Sequence, residues 1–308
     1  MDHLQLLNSS IRLAAPVILI AMGGLFALKV DVFNMALDAF ALIGCFFSIW
    51  GVYVTKTLAG GFLTGILCTV LFSLIYAVFV LEWEVNPVVC SVAMITLANG
   101  LTRYLMQPVF GTSGNVILSS ELALPAIHIS LLDGLPVLGK ILNNQTVLVY
   151  LSLLLPFGIH VFLKYTETGL SMRACGQSRD TARSAGLKVK KIQYLALVLN
   201  GIFCALAGCQ LALSINMFNV GMTSGRGFTA LAALVLTNSN PVAALLVGLL
   251  FGFADALSNV LSADGYPSQL LGMLPYFLAL TAAVVPMAVQ SILSRIRIQR
   301  QEHILMKL

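Results

Sequence analysis

Polar groups set inside apolar runs are the residues of this 308-residue chain that invite a chemical role. Asn34 and Asp38 open one such run, Asn99 lies within another, Asn219 and Phe228 flank a broken one, and Asp255 lies inside the run Val242–Leu261. An intramembrane charge costs about 2.5–3.5 kcal/mol at the centre of a span. Asp255 is therefore either a functional group or a helix-packing hydrogen bond. Asp38 either faces a polar path or sits near a helix end and snorkels to water. Sets of residues that would do bond chemistry are missing. His3 and His303 are at the ends, His128 is in a loop, and His160 stands alone in an apolar span. Neither H-E-x-x-H nor G-x-S-x-G occurs. The six cysteines form no C-x-x-C pair, and Cys204 and Cys209, five apart, do not share a helical face. We expect no catalytic residue, no metal site and no cofactor.

The elements that must carry these residues follow from composition. Hydrophobic residues make up 59% of the chain and charged residues 9%, with mean hydropathy +0.95. A soluble domain carries about a quarter charged residues, so this chain cannot cover an ordinary water-facing surface. At roughly 20 apolar residues per crossing, the length accommodates about 8–10 transmembrane segments. The expectation is an all-α polytopic bundle, one transmembrane domain over 1–308. The net charge of +5 does not point to nucleic acid, because the basic residues gather beside spans. Lys164, Arg173, Arg179, Arg183, Lys188, Lys190 and Lys191 lie in 164–193, and Arg295, Arg297, Arg300 and Lys307 in the tail. Both places read as cytoplasmic by the positive-inside rule, and parity then puts the N-terminus outside.

Along the chain, spans are expected at Leu13–Leu28, Val32–Val54, Phe62–Leu81, Val88–Phe110, Thr146–Leu163, Tyr194–Ile215, Val242–Leu261 and Leu270–Leu293. A longer external loop, 111–145, has room for a short surface helix. Phe228–Leu236 is apolar but too short to cross alone, and Asn238-Ser239-Asn240-Pro241 interrupts it. Half-helices of this kind are tolerated only where protein or a water-filled cavity satisfies the backbone. With the run opening at Val32, it makes two interrupted segments, one in each half, which suggests an internal two-fold repeat and a transport pathway. Gly61/Gly65 and Gly248/Gly252 are small-x-x-x-small pairs suited to close helix packing.

The stretch Thr168-Gly169-Leu170-Ser171-Met172-Arg173-Ala174-Cys175-Gly176-Gln177-Ser178-Arg179-Asp180-Thr181-Ala182-Arg183-Ser184-Ala185-Gly186-Leu187 carries small residues at Ala182, Ala185 and Gly186, as a short helix fitting a groove would. Gly169 and Gly176 are expected to form turns at its edges. By composition alone it is an ordinary basic loop. It resembles, however, the cytoplasmic coupling loop of ABC-importer permeases of the ribose and branched-chain amino acid class. Over nearly its whole length the chain is most similar to the nucleoside, or simple-sugar-type, permeases of that class. The resemblance is carried by Ala15-Pro16, Gly23-Gly24-Leu25-Phe26, Val32-Phe33-Asn34-Met35-Ala36-Leu37-Asp38, Gly225-Arg226-Gly227-Phe228-Thr229-Ala230-Leu231-Ala232, Asn240-Pro241 and Leu274-Pro275-Tyr276, in the family's order.

That resemblance implies a bacterial cytoplasmic-membrane importer. It has a second, non-identical permease, a cytoplasmic ABC ATPase docked on a coupling helix at about Arg179–Leu187, and an external binding protein or lipoprotein. Coupling would involve Gly169, Arg173, Gly176, Arg179, Ala182, Ala185 and Gly186. The pathway would involve Asn34, Asp38, Asn99, Asn219, Phe228 and Asp255. ATP would be bound by the partner, since no G-x-x-x-x-G-K-[ST] loop is present. A sugar permease of the same class and an ion-driven secondary transporter are the competing readings; dependence on a separate ATPase docking at 179–187 separates the latter.

Overall fold

The computed structural model describes residues 3–118, 123–128, 138–263, 268–278 and 281. Seven of its helices are long and apolar enough to cross a membrane: α1 (His3–Lys29), α2 (Leu37–Thr55), α3 (Leu58–Leu81), α4 (Pro87–Phe110), then, after the short α5 (Leu138–Leu142), α6 (Val147–Tyr165), and further on α9 (Val189–Leu213) and α11 (Pro241–Ala263). Between α6 and α9 lie α7 (Glu167–Gln177) and α8 (Arg179–Ser184), and between α9 and α11 lies α10 (Arg226–Leu236), followed later by α12 (Ser268–Leu271). The rest of the span expected at Leu270–Leu293, and the basic tail, lie outside the described residues.

Helix starts are written locally. Asn86 accepts from the Val88 and Val89 N–H groups ahead of α4, with Pro87 first in the helix. Asn240 does the same for Val242 and Ala243 ahead of Pro241, the residue pairing expected at a helix entry. The start of α1 differs from expectation, preceding Leu13 by ten residues. Its polar first turns are satisfied by the loop before α6: Asn8 donates to the Ile141 and Asn143 carbonyls, and Gln145 donates to the Asn8 carbonyl.

The bundle has an inner and an outer shell. The most apolar windows of α1 and α2 are each 78% buried, against 28% for α4 and 33% for α3 and α6. Glycines set the close contacts of the inner shell: a Cβ on Gly208 would lie 2.5 Å from the Ala41 carbonyl, and one on Gly248 would lie 2.6 Å from Ile18. The expected glycine pairs thus pack α3 on α2 and α11 on α1. Outward, α3 presents Leu63, Leu67, Leu71 and Ile75, all about half exposed or more.

Two small antiparallel pairings, unforeseen in an all-α reading, lie at the end opposite α7 and α8. Residues 115–117 (β1) pair with 217–219 (β4), Val116 facing Phe218, and 126–127 (β2) pair with 145–146 (β3). Each closes a loop over the helix ends by using its backbone groups in pairs, which an apolar setting demands.

Candidate functional site

The two interrupted segments meet in space. Residues 32–36 approach α2 without helical structure, held by side chains of the outer shell: Tyr76 donates to the Phe33 carbonyl (3.1 Å), and the Met35 N–H donates to Ser91 Oγ (3.1 Å). Asn34 closes an Asx turn, its Oδ1 accepting from the Ala36 N–H at 2.8 Å. It is 2% exposed, and its amide nitrogen has no partner among the described residues. Helix α2 then begins at Leu37. Asp38 in its first turn does not reach water: it is 8% exposed, accepting from the Gly227 N–H (3.0 Å) and from Thr223 Oγ1 (2.9 Å).

Gly227 belongs to the first turn of α10, so one carboxylate serves the positive ends of two helices. The approach is close: a Cβ on Gly227 would overlap the Asp38 backbone nitrogen and lie 2.5 Å from its Cα. Behind them, Gly24 of α1 leaves room for Leu37 and Leu234. At 1.5 Å per residue, the 11 residues of α10 cover about 16 Å, roughly half a hydrocarbon core. Its far end, Asn238–Asn240, shares a cavity with Lys29, Lys164 and Arg173 at the end bearing α7 and α8. Helix α10 thus runs from the junction toward the end bearing α7 and α8, and the chain before it, 214–225, carries β4 at the opposite end.

Two cavities adjoin this junction, and both are lined by Ser224 and Arg226. The larger, about 590 Å³, is walled by Arg12, Gln145, Thr146, Gln210, Asn219 and Met222, among others. The smaller, about 260 Å³, holds Thr229, Phe251, Asp255, Ser258, Asn259 and Tyr276. Arg226 stands between them, its Nη2 3.8 Å from Asp255 and its Nη1 on the Met222 and Thr223 carbonyls, while its Nε has no partner among the described residues. Across the larger cavity Thr146 donates to Gln210 Oε1 at 2.7 Å, and the buried Gln145 Oε1 is unpartnered among the described residues. A polar solute would find donors and acceptors here in a volume suited to a small molecule.

The residues singled out from sequence are thus distributed unevenly. Asn219 and Asp255 line the two cavities, and Asp38 is one residue away from Arg226 through its bond to Gly227. Asn34 is buried in the segment that leads into α2, four residues before Asp38. Phe228 is 40% exposed on the first turn of α10 and lines neither cavity. Asn99 is on outer α4, its Nδ2 bonded back to the Ile95 carbonyl. Arg226, Gln210, Gln145 and Arg12 were missed. Amides and a guanidinium within or beside apolar runs are the same anomaly as Asp255, and that signal was in the sequence.

The coupling stretch folds as two helices rather than one with glycine turns. Gly169 and Gly176 are inside α7, not at turns. Gly169 is there because a Cβ would overlap the Phe162 carbonyl, and Gly176 because one would overlap the Lys29 carbonyl. Thr166 caps α7 through the Gly169 N–H (3.1 Å), and Ser178 caps α8 through the Thr181 N–H (3.3 Å). Helix α8 ends at Ser184, and Gly186 takes the left-handed turn (φ +86°) that closes it. Ala182 is its anchor, buried against Cys175 and Val189. Arg179 pairs with the Asp31 carboxylate (3.1 Å) and also donates to the Asp31 carbonyl. Arg173, Arg183, Ala185 and Gly186 are exposed.

Residues 6–288 match the family model described as "Branched-chain amino acid transport system / permease component". The chain is 31% identical to the guanosine ABC transporter permease protein NupQ of Bacillus subtilis, over 92% of its own length and 93% of the relative's. It is 28% identical to the nucleoside ABC transporter permease protein NupC of Lactococcus lactis (85% and 86%). Against the guanosine ABC transporter permease protein NupP of Bacillus subtilis it is 23% identical (86% and 77%). With its multi-pass helical bundle, the chain belongs to the branched-chain amino acid transport system permease family and is a permease subunit of an ABC importer.

Proposed function

We propose that residues 1–308 act as one transmembrane domain that, with a second and non-identical permease, forms the pathway for a nucleoside across a bacterial cytoplasmic membrane. The observation that carries this reading is the meeting of two polar cavities at Arg226, beside the junction of two half-helices. Tyr276 and the Arg226 guanidinium offer planar faces for a base. Gln210, Asn219 and Gln145 offer hydrogen bonds to ribose hydroxyls. The names of the relatives NupQ, NupC and NupP support the solute class, and the presence of two guanosine permeases in one organism supports a paired partner.

The end bearing α7 and α8 faces the cytoplasm in this reading, with the N-terminus outside. A separate ATPase docks on the exposed side of α8, and an external binding protein delivers solute to the end covered by β1 and β4. ATP is bound and hydrolysed by the partner; this chain supplies the path and the contact that transmits closure. Asn34, Asp38, Asn219 and Asp255 are its pathway residues in this reading, with Arg226 and Gln210 added, while Asn99 and Phe228 line neither cavity.

The test is ATP-dependent uptake of labelled nucleosides and sugars by proteoliposomes holding the assembled transporter. Nucleoside uptake that falls about tenfold or more in Arg226→Gln, with folding retained, is the expected result. Uptake of sugars alone would overturn the solute class, and uptake indifferent to ATP would overturn the importer mechanism.

A further inference from the structure

A third cavity, about 340 Å³, opens at the end bearing α7 and α8. It is lined by Lys29, His160, Leu163, Lys164, Arg173 and residues 238–241. Its three cations come from three elements: the last residue of α1, the last turn of α6 and the middle of α7. None of them forms an ion pair among the described residues. The acids of this end are engaged elsewhere, Asp31 with Arg179 and Glu82 with Lys190, Glu84 also acting on Lys190, while Glu167 and Asp180 occupy the first turns of α7 and α8. The start of α11 borders the cavity at Asn240 and Pro241, but its first N–H groups are already taken by Asn240 Oδ1, so the cations are what the cavity offers. Three cations without a carboxylate partner among the described residues, Lys164 also lying over the Tyr165 ring at 5.3 Å, converge on one concavity and make it a site for an anion.

The surroundings choose the kind of anion. The cavity sits where three spanning helices, α1, α6 and α11, have their ends. From it an apolar stripe runs along α6: Leu154, Phe157 and Val161 are 69%, 52% and 53% exposed. Phe157, Val161 and Lys164 fall at i, i+4 and i+7, one helical face. We propose that Lys29, Lys164 and Arg173 hold the phosphate of an anionic phospholipid whose acyl chains lie along this stripe. Basic pockets between helix ends on the cytoplasmic side bind acidic headgroups in this way. The cavity is separate from the two at Arg226, so the lipid site stands whatever solute the permease carries.

The experiment is native mass spectrometry of the full chain released from micelles containing equimolar phosphatidylglycerol and phosphatidylcholine. One retained phosphatidylglycerol is expected, with the ratio of the two bound lipids falling about fivefold for each cation removed, the factor equivalent to about 1 kcal/mol per basic residue beside an anionic headgroup. Lys164→Gln is the key variant, because its exposed side chain can be changed without disturbing packing; Lys29→Gln and Arg173→Gln extend it. Lys188→Gln, a cation of the same end outside the cavity, should leave the ratio unchanged. Equal retention of the two lipids would overturn the proposal, as would an equal loss in Lys188→Gln. Displacement of the bound phosphatidylglycerol by millimolar inorganic phosphate would also overturn it, by assigning the cavity to free phosphate.

Discussion

The junction of α2 with α10 and the α7–α8 segment are both polar interruptions between apolar helices, and they are built in opposite ways. At the junction, backbones touch: Gly227 leaves no room for a Cβ, and the Asp38 carboxylate is buried between two helix ends. In α8 a single small side chain, Ala182, is buried, while most of the helix faces outward. The first arrangement fixes the relative position of two halves of the bundle. The second leaves a compact, exposed helix tethered at few points, suited to being gripped. Glycine makes the contact at the junction and in α7, where Gly169 and Gly176 anchor the segment, whereas at the end of α8 Gly186 serves a left-handed turn.

This contrast can be broken by substitution. The largest effect is expected at Gly227→Val, where overpacking against the Asp38 backbone should cost about 3 kcal/mol or more; thermal unfolding in detergent measures it, and a stable variant would deny the close contact. Asp38→Ala follows, leaving the Gly227 N–H unpaired in an apolar setting at about 2 kcal/mol. Asp38→Asn should lose less, because its carbonyl oxygen can still accept. Ala185→Glu, at the exposed residue just past the end of α8, should shift stability within about 0.5 kcal/mol yet abolish ATP-driven uptake. If it instead unfolds the chain, α8 is packed and the contrast fails.

The smallest effect belongs to the exposed pair at the same end. The Glu82 carboxyl is held below the usual carboxylate range by the hydrogen bond from Lys190 (2.7 Å). Its folded-state value being depressed, any stabilisation is present above the ordinary carboxylate pKa and fades as pH falls through the folded value. Glu82→Gln should therefore leave the melting temperature nearly unchanged at neutral pH, and a melting curve that moves more than that of Asp38→Asn would reverse the ranking.

How much of this could be read beforehand depends on the range of the interaction. Seven spans were legible because a lipid-spanning helix announces itself by a run of apolar residues, and the short 228–236 helix by the polar break after it. The start of α1 was not, because Asn8 looks like loop until the 141–145 segment is placed beside it. Strands β1 and β4 were invisible for the same reason: each is three residues long and has meaning only against the other. In the site, Asp38 and Asp255 stood out as charges in apolar runs. Arg226 carried the same signal, a charge beside an apolar run, and was passed over because a cation at a helix start looks like a boundary marker until Asp255 is brought to its side. Gly169 and Gly176 were read as turns because a glycine's need for space cannot be told from its need for a special φ without the neighbours.

The bond from Gly227 to Asp38 spans 189 residues of chain. At about 5–20 residues per second, a ribosome that has finished α2 needs on the order of 10–40 s before the N–H that will meet this carboxylate exists. Through that interval the nascent chain holds an acidic side chain at the head of an apolar helix with its later partner unsynthesised. The order of the genes' own codons thus sets a waiting time in biogenesis, and the half-made chain is the form on which insertion machinery and quality control act.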